Sequence, residues 1–248
     1  FSLPYRDIAI TLGMGWLAFM VISDAIISPS GTGNIYMNAT PRVIYGWAKA
    51  GTFFKAFTHI DKASGIPRPA LWLTFGLSIF WTLPFPSWEQ LISVVSAALV
   101  LSYAIAPVTA AGLRRNAPDL PRPFRVRAFG IIGPVSFMIS ALIVYWSGWN
   151  TLSWLLGLQI VMFVVYVMCK GKVPEHTVSL AQQVKSSLWL IVFYALIILF
   201  SWLGSFGGLN VIGHPWDTVL VAAMSLGIYY WGARSCLPQA NFSGDEEE

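Results

Sequence analysis

The chain has 248 residues, of which 56% are hydrophobic and only 10% are charged. A soluble globular protein is typically about a quarter charged, so this composition cannot cover a water-facing surface. It excludes a disordered or collagen-like chain, and two cysteines are too few for a disulfide scaffold. A polytopic α-helical membrane protein is the class that fits. Residue 1 is Phe and no signal peptide follows, so we expect the chain to be part of a longer protein.

Long stretches with few or no charges predict the membrane-spanning helices. A helix needs roughly 20 apolar residues to cross a bilayer core of about 30 Å. The sequence predicts about seven such helices, in the stretches 8–41, 69–88, 89–113, 128–169, 186–216 and 218–233. The stretch 128–169 is long enough for two of them. Residues 147–150, Ser-Gly-Trp-Asn, predict the turn between those two. The first stretch is too long for one straight span, and we expect Pro29, Gly31 and Gly33 to interrupt it.

The distribution of cations predicts the orientation. With the N-terminus outside, 14 of the 15 Lys and Arg residues fall on inward-facing segments, and only Arg6 lies outside. Positive residues accumulate on the cytoplasmic side of membrane proteins. We therefore expect a multi-pass protein of the plasma membrane with its N-terminus outside and its C-terminus in the cytoplasm. The net charge of +4 then reflects topology, and we expect no nucleic-acid partner.

A first motif, SDAIISPSGTGNIY at residues 23–36, concentrates small and hydroxyl residues around one carboxylate. On a helix, Asp24, Ser28, Gly31 and Ile35 share a face, with Thr32 beside them. Two interpretations are open. The small residues could leave room for a substrate or an ion, or they could form a tight packing seam in which hydroxyls bond to the carbonyl four residues back.

Two further motifs are basic connectors punctuated by Pro and Gly. The second motif is ATPRVIYGWAKAG at 39–51 followed by SGIPRPAL at 64–71, and the third is LRRNAPDLPRPFR at 113–125. Taken singly, such segments are typical of turns and of the signals that stop transfer through a membrane.

In this order and spacing, the three motifs resemble the amino acid–polyamine–organocation superfamily of permeases, and most closely its aspartate:proton symporters. The resemblance covers residues 1–170 and implies an all-α, LeuT-like fold of two inverted repeats, in which the first and sixth helices are discontinuous and hold the substrate. The chain would supply part of the second repeat plus peripheral helices. Its expected parts are core helices eight to ten in 1–127, a hairpin of helices eleven and twelve in 128–185, and two additional helices with an acidic tail in 186–248.

The resemblance also implies a set of site residues. Thr32 matches a hydroxyl position of helix eight that faces helix one, and Ser28 lies one turn earlier on the same polar face. Both would be adjacent to a coupling ion. Tyr36 matches a substrate-facing side chain, and among the serines of helix ten we expect Ser96, rather than Ser93 or Ser102, to line the substrate site.

Three carboxylates need separate interpretations. Asp24 departs from the family pattern, which is small or apolar there, and a carboxylate within a membrane span is a functional hypothesis by default. It could carry a coupling proton, be a satisfied structural group, or lie in a wet outer vestibule. Glu89 and Asp217 stand at predicted helix starts, where the helix dipole favours an anion, so we expect capping.

The function implied is secondary active amino acid transport by alternating access, coupled to a proton rather than to sodium, with aspartate and glutamate as the candidate substrates. The expected partners are the amino acid, the proton, the lipid bilayer and the N-terminal helices missing from this chain. A seven-helix receptor and a non-transporting membrane scaffold are the alternatives. The three His residues lack metal-ligand spacing and no catalytic arrangement is evident, so we expect no enzyme, no metal and no cofactor.

Overall fold

The computed structural model describes residues 4–51, 53–83, 87–119, 121–169 and 180–236. These residues form α-helices and one short 3₁₀ helix, with no strand among them. The all-α prediction is therefore confirmed. The described residues divide into two compact units, 4–83 and 87–236. The domain boundaries expected from the sequence stay a prediction.

The first unit contains three α-helices and the 3₁₀ helix. In chain order they are α1 (Pro4–Thr11), α2 (Gly15–Lys49), the 3₁₀ helix (Lys55–Thr58) and α3 (Arg68–Thr82). The long helix α2 packs against the other three elements. Its buried residues are Ala18 near its start and Pro41, Ile44 and Ala48 near its end. The middle of α2 is therefore left open within this structure.

The second unit contains five helices: α4 (Trp88–Asn116), α5 (Phe129–Trp146), α6 (Trp149–Cys169), α7 (Leu180–Leu203) and α8 (Trp216–Ser235). Helix α4 packs against α5, α6 and α8, and α8 also packs against α5 and α7. The apolar core follows a helical spacing along α4, at Val94, Ala97, Leu101, Ala104 and Val108. One side of α4 thus faces the core of this unit, in agreement with helical periodicity.

Three described helices are long and apolar enough to cross a membrane: 89–116, 129–146 and 184–203. A fourth apolar segment, 149–165, is slightly shorter. Each of the seven predicted spans overlaps one of the helices α2 to α8. The turn predicted at 147–150 is also present, because Ser147 and Gly148 separate α5 from α6. Gly148 has a φ of +83°, a left-handed conformation that glycine adopts without strain.

The expected interruption of the first span is wrong at the level of the backbone. Helix α2 runs without a break from Gly15 to Lys49, through Pro29, Gly31 and Gly33. A proline removes one backbone donor from a helix but leaves the bonds on either side intact, and glycine can adopt helical angles. At 1.5 Å per residue, 35 residues span about 52 Å. The helix is thus longer than a bilayer core, as its sequence length implied.

Candidate functional site

The predicted coupling residues form an open polar stripe on α2, which consists of Asp24, Ser28 and Thr32. They are spaced four residues apart, so successive members are rotated by only about 40° around the helix. All three are exposed, as is Tyr36 one turn further along. The structure therefore brings the four first-motif residues together on one helix, with their polar groups accessible.

The hydroxyl groups of the first motif divide into two sets. The hydroxyls of Ser23 and Ser30 donate to the carbonyls four residues back, those of Phe19 at 2.9 Å and Ile26 at 2.7 Å. Such a bond occupies the hydroxyl proton. Among the described residues, Ser28, Thr32 and Asp24 make no side-chain hydrogen bond or ion pair.

The two sets lie on different faces of α2. At about 100° per residue, Ser23 and Ser30 are within about 20° of each other, whereas each is roughly 100° or more from Asp24. Ser23 and Ser30 therefore match the interpretation in which hydroxyls bond to the carbonyl four residues back, but they do so on a different face from the stripe. The polar stripe keeps its donors and acceptors available for a partner.

A packing seam along the stripe is not formed by the described residues. A Cβ atom built on Gly31 or Gly33 would meet nothing within 4 Å. Ile27 and Ile35 on the same stretch of α2 are also largely exposed, at 69% and 68%. The small residues thus leave open space beside the stripe, which another helix, a substrate or an ion could occupy.

The remaining candidate, Ser96, belongs to the second unit. It lies on α4, is exposed, and points away from the core-facing side of that helix. Of the three serines considered there, Ser102 donates its hydroxyl to the carbonyl of Leu99 at 2.7 Å. Ser93 and Ser96 make no side-chain hydrogen bond among the described residues, so their hydroxyls are available.

The second motif forms a tight polar turn before α3. The carboxylate of Asp61 accepts hydrogen bonds from the backbone N–H and the hydroxyl of Ser64, at 3.2 and 2.6 Å, and pairs with Arg68 at 2.9 Å. The Ser64 hydroxyl lowers the pKa of Asp61 most, desolvation opposes this shift, and the Arg68 charge and backbone hydrogen bonds lower the pKa further. Gly65 has a φ of +66°, which explains the glycine of this motif.

Sequence reasoning missed a buried polar cluster in the second unit, which we call the Asp217 cluster: Asp217, Tyr145, Ser205 and Thr218. Asp217 and Tyr145 are both completely buried. One carboxylate oxygen accepts hydrogen bonds from the Tyr145 hydroxyl at 2.7 Å and from the backbone N–H and the hydroxyl of Ser205. The other oxygen accepts from the backbone N–H of Thr218 at 2.6 Å and from its hydroxyl at 3.2 Å.

The expectation that Asp217 and Glu89 cap the starts of their helices has a different outcome for each residue. Asp217 does bind an N–H in the first turn of α8, but it also joins α8 to α5 and to the α7–α8 connector. The N-cap of α4 is Ser87, which accepts from the N–H of Gln90 at 3.3 Å, whereas Glu89 lies in the first turn. The signal for Asp217 in the sequence is its position in the first turn of a helix, which does not reveal partners 12 and 72 residues away.

The described residues contain no group of three or more His, Cys, Asp or Glu side chains placed to hold a metal ion. Polar groups in the described part of the chain include the open stripe on α2, the serines of α4, the Asp61 turn and the Asp217 cluster. Of these four, only the first two leave exposed side-chain groups without hydrogen-bond partners inside a long helix.

Comparison with known proteins decides the family. A family model described as "Amino acid permease" matches residues 9–194. The chain belongs to the amino acid permease family. The resemblance inferred from the three motifs is therefore confirmed. Together with the apolar helices, family membership makes the chain part of a multi-pass protein embedded in a membrane.

Three relatives from Bacillus subtilis (strain 168) match the chain. It is 57% identical over 247 residues to the aspartate-proton symporter, covering 99% of this chain and 48% of that protein. It is 33% identical over 237 residues to the glutamate/serine transporter AimA, covering 95% of this chain and 44% of that protein. The branched-chain amino acid permease BcaP is 19% identical over 169 residues, 68% of this chain and 36% of that protein.

The chain thus spans about half the length of the first two relatives. All three are named as transporters or permeases and none as an enzyme, a receptor or a scaffold, so those alternatives are not favoured. No solved structure gives a significant match.

Proposed function

We propose that the chain is the C-terminal portion of a proton-coupled amino acid symporter that works by alternating access, with an acidic amino acid as its substrate. The open polar stripe on α2 carries this proposal. The names of the two nearer relatives, an aspartate-proton symporter and a glutamate/serine transporter, support the substrate class. A proton rather than sodium is proposed as the coupling ion, since the relative at 57% identity is named for a proton.

The stripe supplies different groups for different tasks. Asp24 can take up and release a proton, while the hydroxyls of Ser28 and Thr32 can donate to or accept from a neighbouring ion or substrate. Tyr36 and Ser96 each offer an exposed hydroxyl for the substrate. The clasping helices of the substrate site would be N-terminal helices of the same protein that this chain does not contain, as the resemblance implies.

Asp24 is proposed to carry the coupling proton. An unpaired charge within a span is costly, so this side chain must be protonated, paired or hydrated in the bilayer. A group that alternates between protonated and ionised states as the site opens to each side couples proton movement to substrate movement. Asn at this position keeps the shape of a protonated carboxyl but cannot release a proton.

Transport assays on the full-length protein in liposomes test this role. In Asp24→Asn, accumulation of aspartate driven by a pH gradient should be lost while exchange of internal for external aspartate continues, because exchange needs no proton release. Glu89→Gln, a carboxylate in the first turn of α4, is the matched control and should accumulate normally. Undiminished pH-driven accumulation by Asp24→Asn would assign the residue to structure.

Three further variants test the assignment of the available and the back-bonded hydroxyls. Thr32→Val keeps the shape but removes an available hydroxyl, so both accumulation and exchange should weaken. Ser28→Ala should weaken transport more than Ser30→Ala, since the Ser30 hydroxyl is already bonded within the helix. Equal effects of the two serine variants would contradict the assignment of the stripe.

We further propose that the N-terminus of this chain lies outside and its C-terminus lies in the cytoplasm of a plasma-membrane protein, in accordance with the positions of its cations. Membrane-impermeant thiol reagents applied to intact cells should label cysteines introduced at Trp149 and at the exposed Leu209, next to Gly208, but not those at Lys62 and Arg125. The reverse pattern would refute this orientation.

A further inference from the structure

Arg122 in the third motif is engaged with the end of α4. Its guanidinium donates to the carbonyls of Leu113, Ala117 and Pro118, at 3.1, 2.6 and 3.0 Å. The carbonyl of Leu113 lies in the last turn of α4, and those of Ala117 and Pro118 directly follow the helix, so Arg122 joins the end of α4 to the connector. The guanidinium of Arg122 is therefore used in contacts that stabilise the end of α4 and the connector.

Arg114 is also engaged within the second unit. Its guanidinium donates to the carbonyl of Val126 at 3.4 Å and lies 4.0 Å from the ring centre of Phe129. These contacts hold the residues around Val126 against the last turn of α4. The side chains of Arg114 and Arg122 thus hold the described part of the α4–α5 connector against the end of α4.

Three other arginines of this region are exposed and make no hydrogen bond or ion pair among the described residues: Arg115, Arg125 and Arg127. Phe124, next to Arg125, is 80% exposed. We call these four residues the basic patch. The exposed Arg234 at the end of α8 lies at the same end of the unit, since Asn116 donates to the carbonyl of Cys236 at 3.2 Å.

Among the described residues, no carboxylate forms an ion pair with the arginines of the basic patch. Of the carboxylates described in the second unit, Glu89 and Asp217 lie in the first turns of α4 and α8, whereas the arginines lie at the other ends of those helices. At 1.5 Å per residue, the separations are roughly 25 to 40 Å, several times the screening length of about 8 Å at physiological salt. Asp119 is exposed in the connector and makes no ion pair with the described arginines.

We propose that the basic patch binds the headgroups of anionic phospholipids in the membrane leaflet next to it. The three guanidinium groups can donate in pairs to phosphate oxygens. The exposed Phe124 distinguishes a lipid from a soluble anion, because an aromatic ring gains free energy by entering the boundary between headgroups and acyl chains. This inference goes beyond the proposed transport function and does not depend on which amino acid is carried.

A binding measurement on the full-length protein in detergent tests the proposal without any transport. The probe is phosphatidylglycerol with a fluorescent acyl chain, and the reference is phosphatidylcholine with the same chain. Wild type should bind phosphatidylglycerol more tightly than phosphatidylcholine. Each arginine near an anionic surface contributes about a fivefold change in affinity, so Arg115→Gln/Arg125→Gln/Arg127→Gln should bind phosphatidylglycerol roughly a hundredfold more weakly.

Matched variants separate the patch from general charge. Lys49→Gln/Lys55→Gln/Lys62→Gln removes the same number of exposed cations from the first unit and should bind phosphatidylglycerol within about twofold of wild type. Phe124→Ala should weaken lipid binding, and Phe124→Leu should retain most of it. Arg114 and Arg122 stay in place in every variant, and unchanged tryptophan fluorescence verifies folding.

Three results would overturn the proposal. The first is a triple-arginine variant that binds phosphatidylglycerol as wild type does. The second is an equal loss in the lysine control, which would reduce the effect to overall charge. The third is displacement of the lipid by inorganic phosphate at matched ionic strength, which would make the patch a site for small anions.

Discussion

Removal of the Asp217 carboxylate should destabilise the second unit more than any other single carboxylate change there. Asp217→Ala leaves the buried Tyr145 hydroxyl and both Ser205 donors without their acceptor. A hydrogen bond to a charged group contributes about 1.5–3 kcal/mol, and an unsatisfied buried donor costs about 1–3 kcal/mol. We expect a loss of about 3–5 kcal/mol in the free energy of unfolding, at the upper limit of single substitutions.

Asparagine should not rescue the site. Both carboxylate oxygens accept hydrogen bonds, so the amide NH₂ of Asp217→Asn must face donors in either orientation. One orientation places it against the Tyr145 hydroxyl and Ser205, and the other against Thr218. The cost should therefore approach that of Asp217→Ala. Glu89→Ala is the matched control, and as a first-turn carboxylate it should cost no more than about 1 kcal/mol.

A double-mutant cycle isolates the contact between Asp217 and Tyr145. Asp217→Ala, Tyr145→Phe and the double variant would be unfolded with sodium dodecyl sulfate in mixed micelles, with tryptophan fluorescence as the readout. Because Phe removes the donor that Asp217→Ala leaves unsatisfied, the double variant should be about 2 kcal/mol more stable than the sum of the single losses predicts. Additivity within about 0.5 kcal/mol would refute the role of the hydrogen bond.

Three further predictions concern other parts of the chain. Gly232→Ala should cost about 1–3 kcal/mol in the free energy of unfolding, because its Cβ would lie 2.8 Å from both Trp189 and Val108. In the same unfolding assay, Gly227→Ala on the same helix should be neutral or stabilising, since its Cβ would meet nothing within 4 Å. Arg122→Lys should lose about 1–2 kcal/mol, since a single ammonium nitrogen cannot replace the two guanidinium nitrogens that donate to three carbonyls. The exposed Arg125→Lys should lose almost nothing. The pKa of Asp61 is lower in the folded chain than its ordinary value of 3.8. The ionised carboxylate therefore stabilises the turn fully above pH 3.8, and this stabilisation is lost only as the pH falls through the lower folded-state pKa. The Ser64 and Gly65 amides should therefore keep their protection, measured against the intrinsic exchange rate at each pH, down to about that pH. At every pH above it they should be less protected in Asp61→Asn. Equal protection in both proteins would refute the role of this carboxylate.

The helices and their connections could be predicted because the bilayer imposes a simple rule on the sequence. A span must be apolar for about 20 residues, so stretches such as 128–169 and their Ser147-Gly148 turn are evident from composition alone. The polar stripe on α2 could also be predicted, since Asp24, Ser28 and Thr32 are close in sequence and need only the helical period to share a face.

Contacts between distant residues could not be predicted in the same way. Asp217 finds Tyr145 and Ser205 only after α5, α7 and α8 have packed, and no local pattern encodes that meeting. In the sequence, nothing distinguishes Arg122 from the other cytoplasmic cations, although its guanidinium donates to carbonyls at the end of α4. The local preferences of Pro29, Gly31 and Gly33 predict a break in α2, but the cooperativity of a long helix outweighs them and the helix is continuous.

The continuity of α2 through Pro29 has a consequence for hydration. Proline has no N–H, so the carbonyl of Ala25 loses the donor that would reach it from the next turn. That carbonyl lies within the stretch that carries Asp24, Ser28 and Thr32. A backbone acceptor of this kind is tolerated at membrane depth only where protein groups or water can bond to it, and hydrocarbon offers neither. We therefore expect this level of α2 to be wetted or covered by polar groups in the membrane, with acyl chains kept away from it.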